Sequence, residues 1–354
     1  VMDTKVWKID QITRETDPAI EEASALLDKN QVVAFPTETV YGLGANAKEA
    51  DAVDKIFRAK GRPSDNPLIV HIADRNQVDD YVAEVPEVAE KLLSSFTPGP
   101  LTLILKSNGT IAENVTAGLP SIGVRIPDHP VAQALLRACR LPLAAPSANK
   151  SGRPSPTTAE HVYDDLQGKI AGLLDGGSTG VGVESTVVDC TGEMPIILRP
   201  GGVTREQLEE VVGSVMIDPA LASDRGELPE DGAVDKPRAP GMKYTHYAPD
   251  APMWLVDGDP AFMQAQIDAH LQAGDKVGVI ASEELAAELN ADHVNVCGSR
   301  DNLNEVAAHL YDALRSFKKS DVDIILCETF PETGVGQAIM NRLQKAATKK
   351  INQL

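Results

Sequence analysis

Between Lys60 and His71 the chain reads KGRPSDNPLIVH, and with Arg58 just upstream it sets three cations, Arg58, Lys60 and Arg62, close together. A guanidinium offers a planar fork to phosphate or carboxylate, and an ammonium offers a mobile point charge, so the trio suits a polyanion such as a nucleoside triphosphate. The same cations follow an apolar-periodic run (Val53, Ile56, Phe57), so they also read as the basic C-terminal turn of a helix, where the helix dipole tolerates them. Pro63 is expected to stop that helix. Asn66 and Pro67 then turn the chain into a short buried strand, Leu68 to Val70, with His71 at its exit.

Five further stretches carry polar groups where backbone or ligand must come close. In PTETVYGLG, Thr37, Glu38, Thr39 and Tyr41 stand beside Gly42 and Gly44, so hydroxyls and main chain are able to approach a small ligand. Arg125 lies between Val124 and Ile126 in SIGVRIP; an arginine inside an apolar strand needs an anion, either an internal Asp or Glu or a bound carboxylate or phosphate. The run LPLAAPSANKSGRPSPT ends a buried strand at Pro146 and continues through Ser147, Asn149, Ser151, Arg153, Ser155 and Thr157, a loop rich in short donors at a strand end. Finally, Glu184, Ser185 and Thr186 follow Gly180 and Gly182, and Arg199 closes the strand IILRPG. Neither a phosphate-binding loop of the G-x-x-x-x-G-K-[ST] type nor a dinucleotide fingerprint is present, because a strand rather than a helix follows the glycines.

The elements needed to hold these residues read as two domains. The 354 residues suffice for two cores, and the net charge of −19 is spread over both halves, which argues against broad adhesion to nucleic acid or an anionic membrane. Cys139, Cys190, Cys297 and Cys327 form no Cys-x-x-Cys pair and read as buried thiols in a reducing compartment. With no apolar run long enough to span a bilayer and no leader pattern at the N-terminus, a cytoplasmic protein without membrane contact is expected. Residues 1–216 are expected to form a mixed sheet with helices around a pocket, opened by a helix over 17–29 with Asp17 as cap and Pro18 in its first turn. Residues 217–250, rich in Pro, Gly, Asp and Ala, read as a linker whose end gathers Met242, Lys243, Tyr244, His246 and Tyr247. Over 251–354, strands MWLVD, KVGVIAS, HVNVC and VDIILCE alternate with helices, and a helix from about 336 closes the chain; this predicts a small parallel sheet.

Taken together, PTETVYGLG, KxRPxxNPLxxH, PGPLT, VRIPxHP, APSAN, RPSPT, GVEST, LRPG and APGMKYxHYAP, in this order, resemble the threonylcarbamoyl-AMP synthase family in its two-domain form, across essentially the whole chain. The resemblance implies a YrdC-like α/β catalytic domain followed by a small Rossmann-like domain. It also implies the condensation of L-threonine, bicarbonate and ATP into L-threonylcarbamoyl-AMP and pyrophosphate, with Mg²⁺ arriving on ATP and no metal site of the protein's own. The product would pass to the machinery that makes threonylcarbamoyladenosine in tRNA, with weak tRNA contact allowed. Carried onto matching positions, the family pattern places Thr39, His71, Arg125, Ala145 and Ser185 around threonine. Arg62, Asn66, Ser121, Ser147, Asn149, Ser155 and Arg199 would meet the nucleotide, Lys60 and Arg62 would neutralise phosphate charge in catalysis, and Lys243, Tyr244 and Tyr247 would belong to a lid. Two rivals are a carbamoyl-adenylate enzyme of hydrogenase maturation, whose acylphosphatase and Cys-rich zinc modules have no counterpart here, and an RNA-binding or ribosome-assembly factor, which the acidity disfavours.

Overall fold

The computed structural model describes residues 2–12, 17–222, 238–240 and 246–354. They fall into two compact units, the first built from residues up to 151 with 155–222 and 238–240, the second from 152–154 and 246–354. Lys243 and Tyr244 lie outside the described residues, as does most of the expected linker.

In the first unit the strands are β1 (Lys5–Lys8), β2 (Val33–Pro36), β3 (Tyr41–Asn46), β4 (Ile69–His71), β5 (Leu101–Lys106) and β6 (Ser121–Arg125). They continue with β7 (Leu143–Ala144), β8 (Gly172–Asp175), β9 (Thr186–Asp189), β10 (Ile196–Arg199) and β11 (Met216–Ile217). Among the described residues they make one mixed sheet in the order β1-β8-β2-β3-β7-β4-β6-β5-β9-β10-β11. Side chains alternate across a strand, so Val70, Val124, Leu103 and Leu105 point into the main core with Val53, Ile56 and Leu92 from the helices Ala50–Lys60 and Glu87–Phe96. Ile69, Ile104 and Val187 point the other way, into a smaller cluster with Leu198 and Ala239.

Local chemistry sets the helix ends. The Asp17 carboxylate accepts from Ala19 N at 2.8 Å and Pro18 fills the first turn of the helix Pro18–Asp28. Thr204 and Gln207 form a reciprocal capping box on Arg205–Val212. The helix Ala50–Lys60 ends at Gly61, in the left-handed region at φ 66°, two residues before the proline expected to stop it. Met216–Ile217, at the expected start of the linker, pairs in parallel with β10 and extends the sheet, followed by the short helix Pro219–Ala222.

The second unit carries β12 (Met253–Asp257), β13 (Val277–Ala281), β14 (Val294–Val296), β15 (Ile324–Glu328) and β16 (Lys349–Asn352), all parallel, in the order β14-β13-β15-β12-β16. Helices Pro260–Gln272, Leu303–Arg315 and Gly336–Ala346 supply the crossovers that parallel pairing requires. Tyr247 is seated in this unit: it is buried, its ring stacks on Tyr311 with centroids 5.3 Å apart, and the Arg342 guanidinium lies 5.9 Å from its centroid. Tyr247, the one expected lid residue among those described, is thus packed against the second unit here. Among the described residues no helix is long and apolar enough to cross a membrane.

Candidate functional site

Strand register assembles the site. His71 on β4 is paired with Leu143 on β7 and with Arg125 on β6, Arg125 with Thr102 on β5, Thr102 with Val187 on β9, and Val187 with Arg199 on β10. Paired residues project from the same face of a sheet, so His71, Arg125, Thr102 and Arg199 form one row across five adjacent strands, although they are far apart in sequence.

Arg125 is the centre of that row. It is buried, 5% exposed, and its guanidinium is spread over three partners. One terminal nitrogen donates to Thr39 Oγ1 at 3.0 Å, the other meets the Glu38 carboxylate, and Nε points to Gly99 O at 3.5 Å. From Thr39 the chain of hydroxyls continues to Thr37 Oγ1 at 2.9 Å, and Thr37 donates to Val40 O at 2.6 Å. Burial first, and then the Arg199 charge, pull the Arg125 guanidinium down to about 9, so it remains a cation at neutral pH. The internal carboxylate that a buried arginine required is therefore Glu38.

Arg199 donates through Nε and a terminal nitrogen to Ser185 O at 3.0 and 2.8 Å and reaches Ser185 Oγ at 3.1 Å. Ser185 Oγ also meets Thr102 Oγ1 at 2.7 Å, so Thr102, Ser185 and Arg199 form a second buried polar group beside Arg125. His71 is also buried, with its ring edge-on to Phe35 and Nδ1 3.1 Å from Ile69 O. Desolvation dominates its titration and the Arg199 charge adds to it, lowering the imidazole to about 4 against the backbone carbonyls of Ile69 and Leu143. It is neutral at physiological pH and adds hydrogen-bonding capacity, not a third positive charge.

The remaining expected residues lie on the loops beside this row. Ala145 N donates to Ile69 O, and Ser147 bridges Gly42 in antiparallel fashion. Lys60, expected to face phosphate, is 3% exposed and spends its ammonium on Ser147 O at 2.5 Å and Asn149 O at 2.7 Å. A buried ammonium needs acceptors, and the turning main chain of Pro-Ser-Ala-Asn supplies them. Arg62 donates to Pro67 O at 3.1 Å, which draws it over the turn that carries Asn66. Asn66 is 1% exposed, and among the described residues its Oδ1 has no hydrogen-bond partner. Such an orphaned acceptor is costly unless something else fills it. Ser155 donates to the buried Glu184 at 2.9 Å, and Ser121 is half-buried opposite Lys106.

Residues 238–240 lie over the same sheet face. Ala239 is fully buried against Ile69, Ile104, Val187 and Leu198, and Arg238 and Pro240 line a crevice with Pro67, Ser121 and Gly123. Arg238 is fastened by two ion pairs, to Asp189 at 2.7 Å and Asp218 at 2.8 Å. Sequence reasoning quoted Thr37, Glu38 and Glu184 without assigning them a task and did not single out Thr102 or Arg238; the missing signal was pairing register, which brings residue 102 between residues 125 and 187. Among the described residues no group of three or more His, Cys, Asp or Glu is placed to hold a metal ion.

Such a row of guanidiniums, hydroxyls and a neutral imidazole on a mixed sheet, followed by a parallel α/β unit, defines a two-domain α/β protein with a buried polar site on its first sheet. Comparison with known proteins sharpens that class. Residues 25–201 match the Sua5/YciO/YrdC family described as "Telomere recombination", and residues 203–348 match the C-terminal domain of threonylcarbamoyl-AMP synthase. The chain is 56% identical to the threonylcarbamoyl-AMP synthase of Bacillus subtilis, over 99% of each chain. It is 46% identical to that of Pyrococcus abyssi, over 94% of this chain and 95% of the relative. A crystal structure of Pyrococcus abyssi Sua5 complexed with L-threonine superposes with a TM-score of 0.92 at 44% identity, covering 99% of this chain and all of that one. The chain belongs to the threonylcarbamoyl-AMP synthase family.

Proposed function

We propose that the first unit condenses L-threonine, bicarbonate and ATP, as its magnesium complex, into L-threonylcarbamoyl-AMP, pyrophosphate and water. The observation that carries this reading is the row of His71, Arg125, Thr102 and Arg199, which sets two buried guanidiniums on one sheet face. In the reaction, the threonine amine captures bicarbonate-derived carbon dioxide. An oxygen of the resulting carbamate then attacks the α-phosphate of ATP and expels pyrophosphate. Both partners of that second step are anions, so the protein's contribution is to hold them together and offset their repulsion, with no covalent intermediate on a side chain.

In this reading Arg125 receives the threonine carboxylate, with Thr39, His71, Ala145 and Ser185 around the amino acid. Arg62, Asn66, Ser121, Ser147, Asn149, Ser155 and Arg199 form the nucleotide side, where the orphaned Asn66 Oδ1 suits an exocyclic amine or a hydroxyl. Lys60 fixes the Ser147–Asn149 turn and, with Arg62, offsets the phosphate charge. Mg²⁺ belongs to the substrate, bridging phosphate oxygens. We place the enzyme in the cytoplasm, its product passing to the tRNA threonylcarbamoyl transferase machinery.

The test supplies labelled bicarbonate, MgATP and each amino acid in turn and identifies the adenylate by mass. Label in a threonine-dependent adenylate, with stoichiometric pyrophosphate, is the expected result. Absence of threonine-dependent pyrophosphate release, or equal yield with unrelated amino acids, overturns the reading.

A further inference from the structure

We propose that Glu38 receives the ammonium group of the amino-acid substrate, so that Arg125 and Glu38 together form a receptor for a zwitterion. The proposal rests on the reading that Arg125 takes the substrate carboxylate. An α-amino acid carries its two charges on neighbouring atoms of one carbon. A site made only of guanidiniums would attract the carboxylate and repel the ammonium. Arg125 and Arg199 are both buried here and His71 is neutral, so the row itself offers no anion to face that second charge.

Glu38 is the anion bonded to Arg125, and its setting suits an exchange of partners. One carboxylate oxygen meets the Arg125 guanidinium; the other accepts from Asp128 N at 2.6 Å. That second bond anchors the carboxylate at the exit of β6 while its first oxygen changes partner. Glu38 is the more accessible member of the pair, with 14% of its side chain exposed against 4% for Arg125. The guanidinium thus forms the floor and the carboxylate stands at the side open to solvent. When an amino acid enters, its carboxylate takes the guanidinium donor that Glu38 releases, and its ammonium takes the released carboxylate oxygen. Arg125 keeps Thr39 and the Gly99 carbonyl throughout. One ion pair becomes two, and no buried charge stands alone before or after. The other buried carboxylate near the row, Glu184, is bonded to Ser155 on the nucleotide side.

The experiment compares L-threonine with 3-hydroxybutanoate, which is threonine without its amine, by calorimetric titration of the full chain. Wild-type protein is expected to prefer threonine by at least about 100-fold, since the amine-free acid sets its carboxylate beside an uncompensated Glu38. Glu38→Gln is expected to shrink that ratio at least about tenfold, mainly by weakening threonine, with binding of 3-hydroxybutanoate held or improved. An unchanged ratio in Glu38→Gln overturns the proposal. So does equal affinity of the wild-type protein for the two acids, a result independent of whether the variant folds. Failure of wild-type protein to bind threonine at all overturns the functional reading beneath it, and is distinguishable because it appears before any substitution is made.

Discussion

Replacing His71 by Asn should remove a specific part of the protein's acid sensitivity. The imidazole is buried, and desolvation holds it at about 4, against a usual value of 6.5. Its folded pKa lies below its unfolded one, so between these values the unfolded chain binds more protons. The stabilisation is complete above about pH 6.5 and is lost as the pH falls toward 4. The full difference corresponds to about 3 kcal/mol, of which about 2 kcal/mol falls between pH 7 and pH 5. The side chain packs edge-on to Phe35, so His71→Asn lowers stability at both pH values by leaving a gap, and the informative quantity is the change with pH. The chain has two tryptophans, Trp7 in the first unit and Trp254 in the second. In a Trp254→Phe background, Trp7 fluorescence during urea unfolding follows the first unit alone. The His71→Asn chain should lose about 2 kcal/mol less than its parent between pH 7 and pH 5. Losses that agree within about 0.5 kcal/mol would refute the argument that the imidazole is held neutral by burial.

Gly201→Ala should destabilise the first unit by about 3 kcal/mol, because its Cβ would lie 2.4 Å from the backbone of Glu184, Ser185 and Thr186. Gly180→Ala, with nothing within 4 Å, should stay within about 0.5 kcal/mol in the same Trp7 assay. Arg238→Ala should cost about 1 kcal/mol, a modest figure because its side chain is 43% exposed, and should accelerate amide exchange on β4, measured by mass spectrometry. Unchanged exchange there would show that residues 238–240 do not protect the sheet face. Burial pushes Cys139 up to about 11 and Cys190 and Cys297 up to about 12, and raises Cys327 well above its usual range. Native protein at pH 8 should therefore react with a disulfide reagent at less than about one thiol per chain, and at all four thiols after denaturation.

Much of this architecture is legible before any coordinates. VGVIA and IILCE are runs of a type that only a sheet covered on both faces can bury, and Asp17-Pro18 and Thr204 with Gln207 announce helix starts. Two of the strands that sequence reasoning did not single out share a physical cause; the buried strands Tyr41–Asn46 and Gly172–Asp175, rich in glycine or short, escape it separately. KVWK and KKIN are mostly exposed strands at sheet edges, where one side of the strand has no partner and the hydrophobic pattern is weak. The helix Ala50–Lys60 ends at the residue the sequence predicts for a helix over 49–60, and only the stop signal differs: a proline is a strong local signal, so Pro63 is the expected stop. Gly61 acts first, since its left-handed backbone lets the last carbonyls bond without a steric cost.

The site divides along the same line. Residue types revealed which groups carry charge, and Arg125 in an apolar strand announced a buried anion. Which group supplies that anion, and which face each cation uses, depends on a succession of strand pairings that brings residues as far apart as His71 and Arg199 onto one face. Lys60 shows the consequence. In sequence it is one of three neighbouring cations, and in the fold its ammonium donates to two main-chain carbonyls of the turn over 147–149. A chain of net charge −19 thus gathers two guanidiniums, Arg125 and Arg199, in one row of a sheet face, where register and not composition decides their neighbours.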